Sequence, residues 1–402
     1  MSSSTLRIAI VSSPKSWGGG EELAWTLGNG LSARGHSVTW LTRRSSVLHQ
    51  RLKSQGTPCL TVCSKYPNLS ELTSLRHNFR EQGVQTIYGN DSQAINWLGL
   101  IGFGMKGVSK IGVKHTVFPI KSALKYNWFL DKILCVSEAS RTVCIQGGIR
   151  PEATETIYGG LDIPAYDRAH ERSVLAKSLG LHKDTRLYCA VGSLVNCKGF
   201  DTVIESASIL LREGRKFVIA ICGEGPLREN LQTQINRKGL NGVVRLVGFQ
   251  QEPYRWIAAA DSLLHPSRSE GLSLVTIAAQ LLGTPVIATA IGGLNEVMHS
   301  PATQDALGWV IQKDSPADLA RAIVDLEESH EKTSRFVIEA KLWANRRFLA
   351  KQMIEGVLGL AKASAKTTAP RVLAFPSYQL GVEIVSLNAA KDAFRGRSES
   401  RL

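Results

Sequence analysis

The chain has 402 residues, 43% hydrophobic and 20% charged, which fits a globular protein long enough for two domains with separate cores. Its net charge of +14 is uneven: residues 1–160 hold 18 Lys and Arg against 9 Asp and Glu, a surplus of +9 that suits an anionic partner such as phospholipid or a phosphorylated ligand. No apolar run reaches the roughly 18 residues of a membrane span, and the seven scattered cysteines do not form a disulfide or zinc pattern.

Met1 to Thr5 lacks the charged and apolar regions of a secretory signal, so a cytoplasmic protein is expected, with the basic half allowing a peripheral place on a membrane's inner face. Residues 6–12 (LRIAIVS) form a continuous apolar run, the pattern of a strand covered on both faces in a parallel sheet. Trp17-Gly18-Gly19-Gly20-Glu21-Glu22 then opens a helix. Its spacing is neither a dinucleotide fingerprint nor a Walker loop, but glycines there let a ligand approach the backbone. Further strands are expected at 37–42, 83–88, 110–114 and 131–137. Asn90 and Asp91 follow one of these runs at its carboxyl end, where polar residues of open α/β sheets line a ligand crevice. Residues 116–130 mix Phe118, Lys121, Lys125, Tyr126, Trp128 and Phe129, which suits an amphipathic segment at lipid headgroups or an ordinary half-buried helix. Aromatic residues are not interleaved with basic ones as a nucleic-acid platform needs, so no nucleic acid is expected.

Residues 163–185 are charged and helical and are expected to connect two halves. Strands recur at 187–192, 217–222, 243–247, 262–265, 286–289 and 309–311, each followed by helical spacing. The β-α alternation in both halves implies an α/β protein of two Rossmann-like, doubly wound sheets facing across a cleft. The expected limits are 1–162 for the first domain, 163–185 for the connection and 186–332 for the second domain. One long helix at 333–362 and a loosely attached tail at 363–402, with a short strand at 382–387, complete the chain. Within the second domain, Ser267-Arg268-Ser269-Glu270-Gly271-Leu272-Ser273-Leu274 reads as a polar turn between a strand and a helix that Gly283 ends. A helix starting at a strand's carboxyl end aims free N–H groups and its positive dipole end into the cleft, which makes a phosphate site. Glu270 stands at its mouth.

Several motifs now fall in register. Glu270-Gly271-Leu272-Ser273-Leu274-Val275, Gly283-Thr284-Pro285-Val286-Ile287-Ala288 and Gly292-Gly293-Leu294-Asn295-Glu296-Val297 resemble the donor-binding segment of retaining glycosyltransferases of family 4, which have the GT-B fold. Val191-Gly192-Ser193-Leu194, Lys198-Gly199, Gly223-Glu224-Gly225-Pro226-Leu227 and Val247-Gly248-Phe249 keep the family's order, and the likeness runs from about residue 6 to about 358. The resemblance implies a helix crossing back to the first domain, a nucleotide-diphospho-sugar donor, and a glycan or lipid-linked hydroxyl acceptor for polysaccharide, lipopolysaccharide or glycolipid synthesis. It implies that Gly19, Gly20, Ser193, Lys198, Gly223, Glu224, Gly271, Leu272, Ser273 and Leu274 meet the donor. Glu270, Lys198 and His115 would serve catalysis, and Asn90, Asp91 and Arg141 would lie on the acceptor side. No D-x-D sequence occurs, so neither a metal nor another cofactor is expected. Two positions depart from the family: Ser193 replaces an arginine, and Ala278 replaces the second glutamate of E-x7-E, which ordinarily holds the donor's ribose. Those departures also fit a degenerate relative that binds without catalysis, and the fold itself fits a nucleotide-sugar epimerase.

Overall fold

A computed structural model describes residues 5–63 and 65–366. The expected tail beyond residue 366, with its strand at 382–387, lies outside the described residues. Seven strands make the first sheet: β1 (Arg7–Ser12), β2 (Ser37–Arg43), β3 (Cys59–Val62), β4 (Thr86–Gly89), β5 (Ser109–Lys114), β6 (Lys132–Cys135) and β7 (Thr154–Thr156). Six make the second: β8 (Arg186–Val191), β9 (Phe217–Cys222), β10 (Val244–Gly248), β11 (Ser262–His265), β12 (Val286–Thr289) and β13 (Trp309–Ile311). The orders are β3-β2-β1-β4-β5-β6-β7 and β10-β9-β8-β11-β12-β13, with every neighbouring pair parallel. Both sheets reverse order once, beside β1 and beside β8, and loops leaving the carboxyl ends at such a point diverge to leave a crevice. The central strands are buried on both faces, as their continuous apolar sequences require.

Two features differ from the sequence reading, and the connection, helical as expected, also packs on the second lobe. The edge strands β3 and β7 were not expected; both are short and only partly buried, so they lack the apolar run that marks the central strands. The connection at 163–185 is no free linker. Its helix Arg168–Leu179 places Leu175 and Leu179 in the same core cluster as Ile257 and Ala259 of the second lobe. The long helix expected at 333–362 is two helices, His330–Arg347 and Ala350–Lys366. The first stays on the second lobe through Ala344, while the second crosses back and buries Met353, Ile354 and Val357 against Leu27 and Leu31 of the first. The break falls where Leu161 donates its N–H to the Phe348 carbonyl and accepts from Ala350, a ladder pairing that competes with helix bonds. Gly160 permits the crossing, because a Cβ there would stand 2.3 Å from the Leu349 carbonyl oxygen.

Phe348 pins this joint. It is fully buried, edge-on to Tyr158 at 5.5 Å and to Trp343 at 5.7 Å between ring centroids. Phe348→Ala is expected to cost about 3–5 kcal/mol, the usual range for deleting a buried aromatic ring. Chemical denaturation checks this, and a loss under about 1 kcal/mol would contradict the packing role.

Candidate functional site

The site is assembled from loops at both switch points. On the second lobe, β11 ends at His265 and the chain turns through Pro266–Ser273 into the helix Leu274–Leu282. Ser273 caps this helix, accepting from the Thr276 N–H, and Gly283 closes it in the left-handed conformation (φ 74°). The N–H groups of Leu272, Ser273 and Leu274 precede the helix's own bonding, and its dipole adds positive potential there.

The Glu270 carboxylate is 7% exposed, and its Oε1 is crowded with partners. Lys198 Nζ donates to it at 2.5 Å and Ser267 Oγ at 2.9 Å, while His265 Nε2 lies 2.9 Å away. All three meet the same oxygen, which leaves Oε2 on the other side of the carboxylate. Burial acts to raise the Glu270 carboxyl, but the Lys198 charge and the His265 contact override it and hold the group down at about 2. Burial likewise lowers His265 and outweighs the pull of Glu270, so the ring is neutral between a charged acid and a charged lysine.

Lys198 comes from a different loop, the turn Asn196–Lys198 after β8. Arg268 fastens that turn to the acid's loop. Its N–H donates to the Cys197 carbonyl at 2.7 Å and its guanidinium to the Asn196 carbonyl at 2.7 Å and the Asp201 carboxylate at 2.7 and 2.9 Å. Gly199 (φ 68°) allows the approach, since a Cβ there would sit 2.1 Å from the Pro266 carbonyl oxygen. Gly223 and Glu224 follow β9, and a Cβ on Gly223 would stand 1.9 Å from the Gly192 carbonyl oxygen. Ser193 is exposed on the same rim, and the Glu224 carboxylate accepts from Arg228 at 2.7 Å.

On the first lobe, Gly19 and Gly20 begin the helix Gly19–Ala33. A Cβ on Gly19 would meet Leu274 Cδ1 at 3.3 Å, and one on Gly20 would meet the His115 ring at 3.4 Å. Asn90 is wholly buried: its amide donates to the Gly20 carbonyl at 3.0 Å and to Ser12 Oγ, while its carbonyl oxygen lies 3.0 Å from His115 Nε2. In this structure it brackets His115 to the glycine loop. Asp91 caps the helix Ser92–Gly102 and accepts from the Ser13 N–H and hydroxyl at 2.8 and 2.6 Å. Arg141 is tied to Thr154 Oγ1 at 3.2 Å and to Glu138 at 3.6 Å. Burial drops the His115 imidazole to about 4 against the opposing charge of Asp91, so it is neutral near pH 7.

The lobes touch at these loops. A Cβ on Gly271 would stand 1.9 Å from the His115 carbonyl oxygen, so only glycine fits. Leu272 and Leu274 pack on the first lobe's core beside Leu23. Gly293 donates its N–H to the Glu270 carbonyl at 3.0 Å. Three residues on, Glu296 reaches across the lobes and accepts from the N–H groups of Glu138 and Ala139 at 2.9 and 2.8 Å and from Tyr158 Oη at 2.6 Å. Glu296 lies inside the Gly292–Val297 motif read from the sequence, but that reading gave it no role.

Comparison with known proteins agrees with this geometry. The family described as Glycosyltransferase Family 4 matches residues 17–164, and Glycosyl transferases group 1 matches residues 171–343. The chain belongs to the family 4 glycosyltransferases. Among its family relatives, the D-inositol 3-phosphate glycosyltransferase of Streptomyces scabiei is 30% identical over 46% of this chain and 43% of its own length. Alpha-D-kanosaminyltransferase of Streptomyces kanamyceticus is 28% identical over 43% of this chain and 44% of its own. In these alignments the chain spans about half the length of the curated relatives it matches. Solved structures of the same GT-B fold include Anabaena HepE in complex with UDP and glucose, 20% identical with a TM-score of 0.79 over 89% of this chain and 100% of that one. Sucrose-phosphate synthase from Thermosynechococcus elongatus is 17% identical with a TM-score of 0.72 over 89% and 98%.

The chain differs from the family's pattern at a core position. Ala278 is fully buried in the second lobe's core, and Gln280 turns away to donate to the Val297 carbonyl at 2.8 Å, so no side chain there replaces the absent glutamate. Among the described residues no three His, Cys, Asp or Glu side chains gather as metal ligands, and no described helix is long and apolar enough to cross a membrane.

Glu21, in the first turn of the Gly19–Ala33 helix, is a buried acid that the sequence reading gave no role. Burial pushes its carboxyl up to about 7; the N–H groups of Glu21 and Gly18 oppose the shift, and the Asp91 charge adds to it. Because the folded state keeps this proton while the unfolded chain releases it near pH 4.5, stability falls as pH rises from about 4.5 to 7. The loss is on the order of 3 kcal/mol. Glu21→Gln is therefore expected to be more stable than wild type at pH 7.5 and nearly equal at pH 4.5. Thermal midpoints at both pH values check this, and parallel pH profiles would contradict it.

Proposed function

We propose that this chain is a retaining glycosyltransferase that moves a sugar from a nucleotide-diphospho-sugar to a hydroxyl of a glycan, a lipid-linked glycan or a phosphorylated polyol. The carrying observation is the Lys198–Glu270 pair at the mouth of the Leu274–Leu282 helix, with Oε1 of the acid fully engaged. The reading gains support from the basic first lobe and from relatives named as D-inositol 3-phosphate glycosyltransferases. When the lobes part, the donor's diphosphate takes the place in front of Leu272, Ser273 and Leu274, and Lys198 turns from Glu270 toward it. Glu270 Oε2 accepts from the sugar's hydroxyls and orients the ring.

Reaction breaks the bond between the anomeric carbon and the phosphate oxygen, and the electron pair leaves with the phosphate. The acceptor oxygen forms its bond on the face the phosphate vacates, and its proton passes to the departing phosphate oxygen. Configuration is retained. Charge on the leaving phosphate grows in the transition state, so fixed N–H donors and Lys198 act more strongly there than in the ground state. The proposal uses no metal. His115, neutral and pinned by Asn90, presents a hydrogen bond rather than a charge to the transferred sugar.

The apolar Ala278 favours a second reading, in which the chain binds a nucleotide or partner without transfer. A lost charged hydrogen bond costs about 1.5–3 kcal/mol, or roughly ten- to hundredfold in affinity. A thermal-shift screen with UDP-, GDP-, ADP- and TDP-sugars separates the readings, because a bound donor raises apparent stability by mass action. One donor is expected to raise the midpoint; no response at millimolar donor would favour the second reading. Lys198→Ala and Glu270→Ala are each expected to lower turnover at least about tenfold, since one preorganised donor is worth roughly 3–4 kcal/mol. Near-wild-type rates in folded variants would remove both from the site.

A further inference from the structure

The outer face of the first lobe formed by the helices Ser92–Gly102 and Ala123–Phe129 leaves large apolar side chains in water. Phe103 is 76% exposed, Leu124 70% and Trp128 70%, with Leu100 and Phe118 also exposed. Leu124 and Trp128 are one turn apart on the short helix and so share its outward side. Phe103 and Trp128 line one shallow recess together with Met105, Lys106 and Phe129. The two helices are held close by Gly99, where a Cβ would stand 2.4 Å from the Phe129 ring. The patch is therefore a fixed surface of the packed lobe.

Charge around it is one-sided. Residues 92–130 contain five lysines and no acid. Lys114 is buried with its ammonium on the Phe118 carbonyl, Lys125 is bonded to Ser92, and Lys110 lies 4.0 Å from Asp131. Lys106 lines the recess with Phe103 and Trp128, and Lys121, three residues from Phe118 and from Leu124 in the chain, is exposed. Protein–protein interface cores are depleted in lysine. Aromatic rings flanked by lysines instead match a bilayer interface, with rings at headgroup depth and ammonium groups among lipid phosphates.

We propose that this face, centred on Phe103 and Trp128 and carrying Lys106 and Lys121, docks on the surface of an anionic lipid bilayer. The patch extends from Phe118, three residues past His115, to Phe103 at the far end of the Ser92–Gly102 helix, so docking brings the first-lobe rim of the cleft near the membrane. Docking does not rest on the donor chemistry proposed above, and an enzyme with an empty cleft binds equally well.

The test is sedimentation of the full chain with phosphatidylcholine vesicles, with and without phosphatidylglycerol. Wild type is expected to bind the anionic vesicles, less as salt rises, and to leave neutral ones largely free. Phe103→Ser with Trp128→Ser is expected to abolish binding. Lys106→Glu with Lys121→Glu is expected to weaken it by more than about tenfold, as each lysine near an anionic surface contributes a factor of roughly five. Unchanged thermal midpoints show that these exposed positions leave the fold intact. Absence of wild-type binding, or equal binding by both variants, would overturn the proposal. So would self-association without lipid that the double serine variant removes, since that marks a protein–protein surface.

Discussion

A single buried carboxylate sets the geometry of the second lobe's reactive edge. An ionised acid withdrawn from water costs several kcal/mol unless its oxygens are satisfied, and Glu270 meets that demand by drawing Lys198, His265 and Ser267 onto one oxygen. The three partners come from two loops that leave neighbouring strands, β8 and β11, at the point where the sheet reverses its order. Arg268 then ties the same loops together from outside through Asp201 and Asn196. The ion pair thus organises this edge: Lys198 cannot move without freeing a charge that only an incoming anion would offset.

The second constraint is closeness. Gly271 lies against the His115 backbone and Gly293 against the Gly271 carbonyl, distances that exclude any side chain at either glycine. One helix turn further, Glu296 caps the Glu138–Gln146 helix of the opposite lobe, an acid at the positive end of a helix dipole. The short helix Gly292–Met298 therefore touches the backbone of the central acid at one end and the first lobe at the other. This one helix thus links the loop that carries Glu270 to the contact between the lobes.

Much of this was legible in the sequence, and for a physical reason. Central parallel strands must be apolar on both faces, so β1, β8, β9 and β12 stand out as continuous runs, and Gly283 marks its helix end by the left-handed conformation it alone tolerates well. The turn around Glu270 and the lysine at 198 could be recognised separately. Their mutual pairing could not, because 72 residues separate them and the loops meet only in the folded sheet. The break at Phe348 was hidden for a similar reason: no glycine or proline occurs from residue 317 to 355, and the pairing of Leu161 with Phe348 and Ala350 imposes it. Asn90 shows the limit of reading position alone. It sits at a strand's carboxyl end, as a ligand contact would, yet neighbours consume both ends of its amide.

In the proposed reaction the Lys198–Glu270 pair and the N–H groups beside it receive an activated sugar's diphosphate. A crystal structure with a nucleoside diphosphate bound tests it most directly. The account predicts a phosphate within hydrogen-bond distance of Lys198 Nζ and of the N–H groups of Leu272 to Leu274, with Glu270 Oε2 turned toward the space for the sugar. A diphosphate seated elsewhere, with Lys198 still locked on Glu270 and the lobes shut over both, would contradict it.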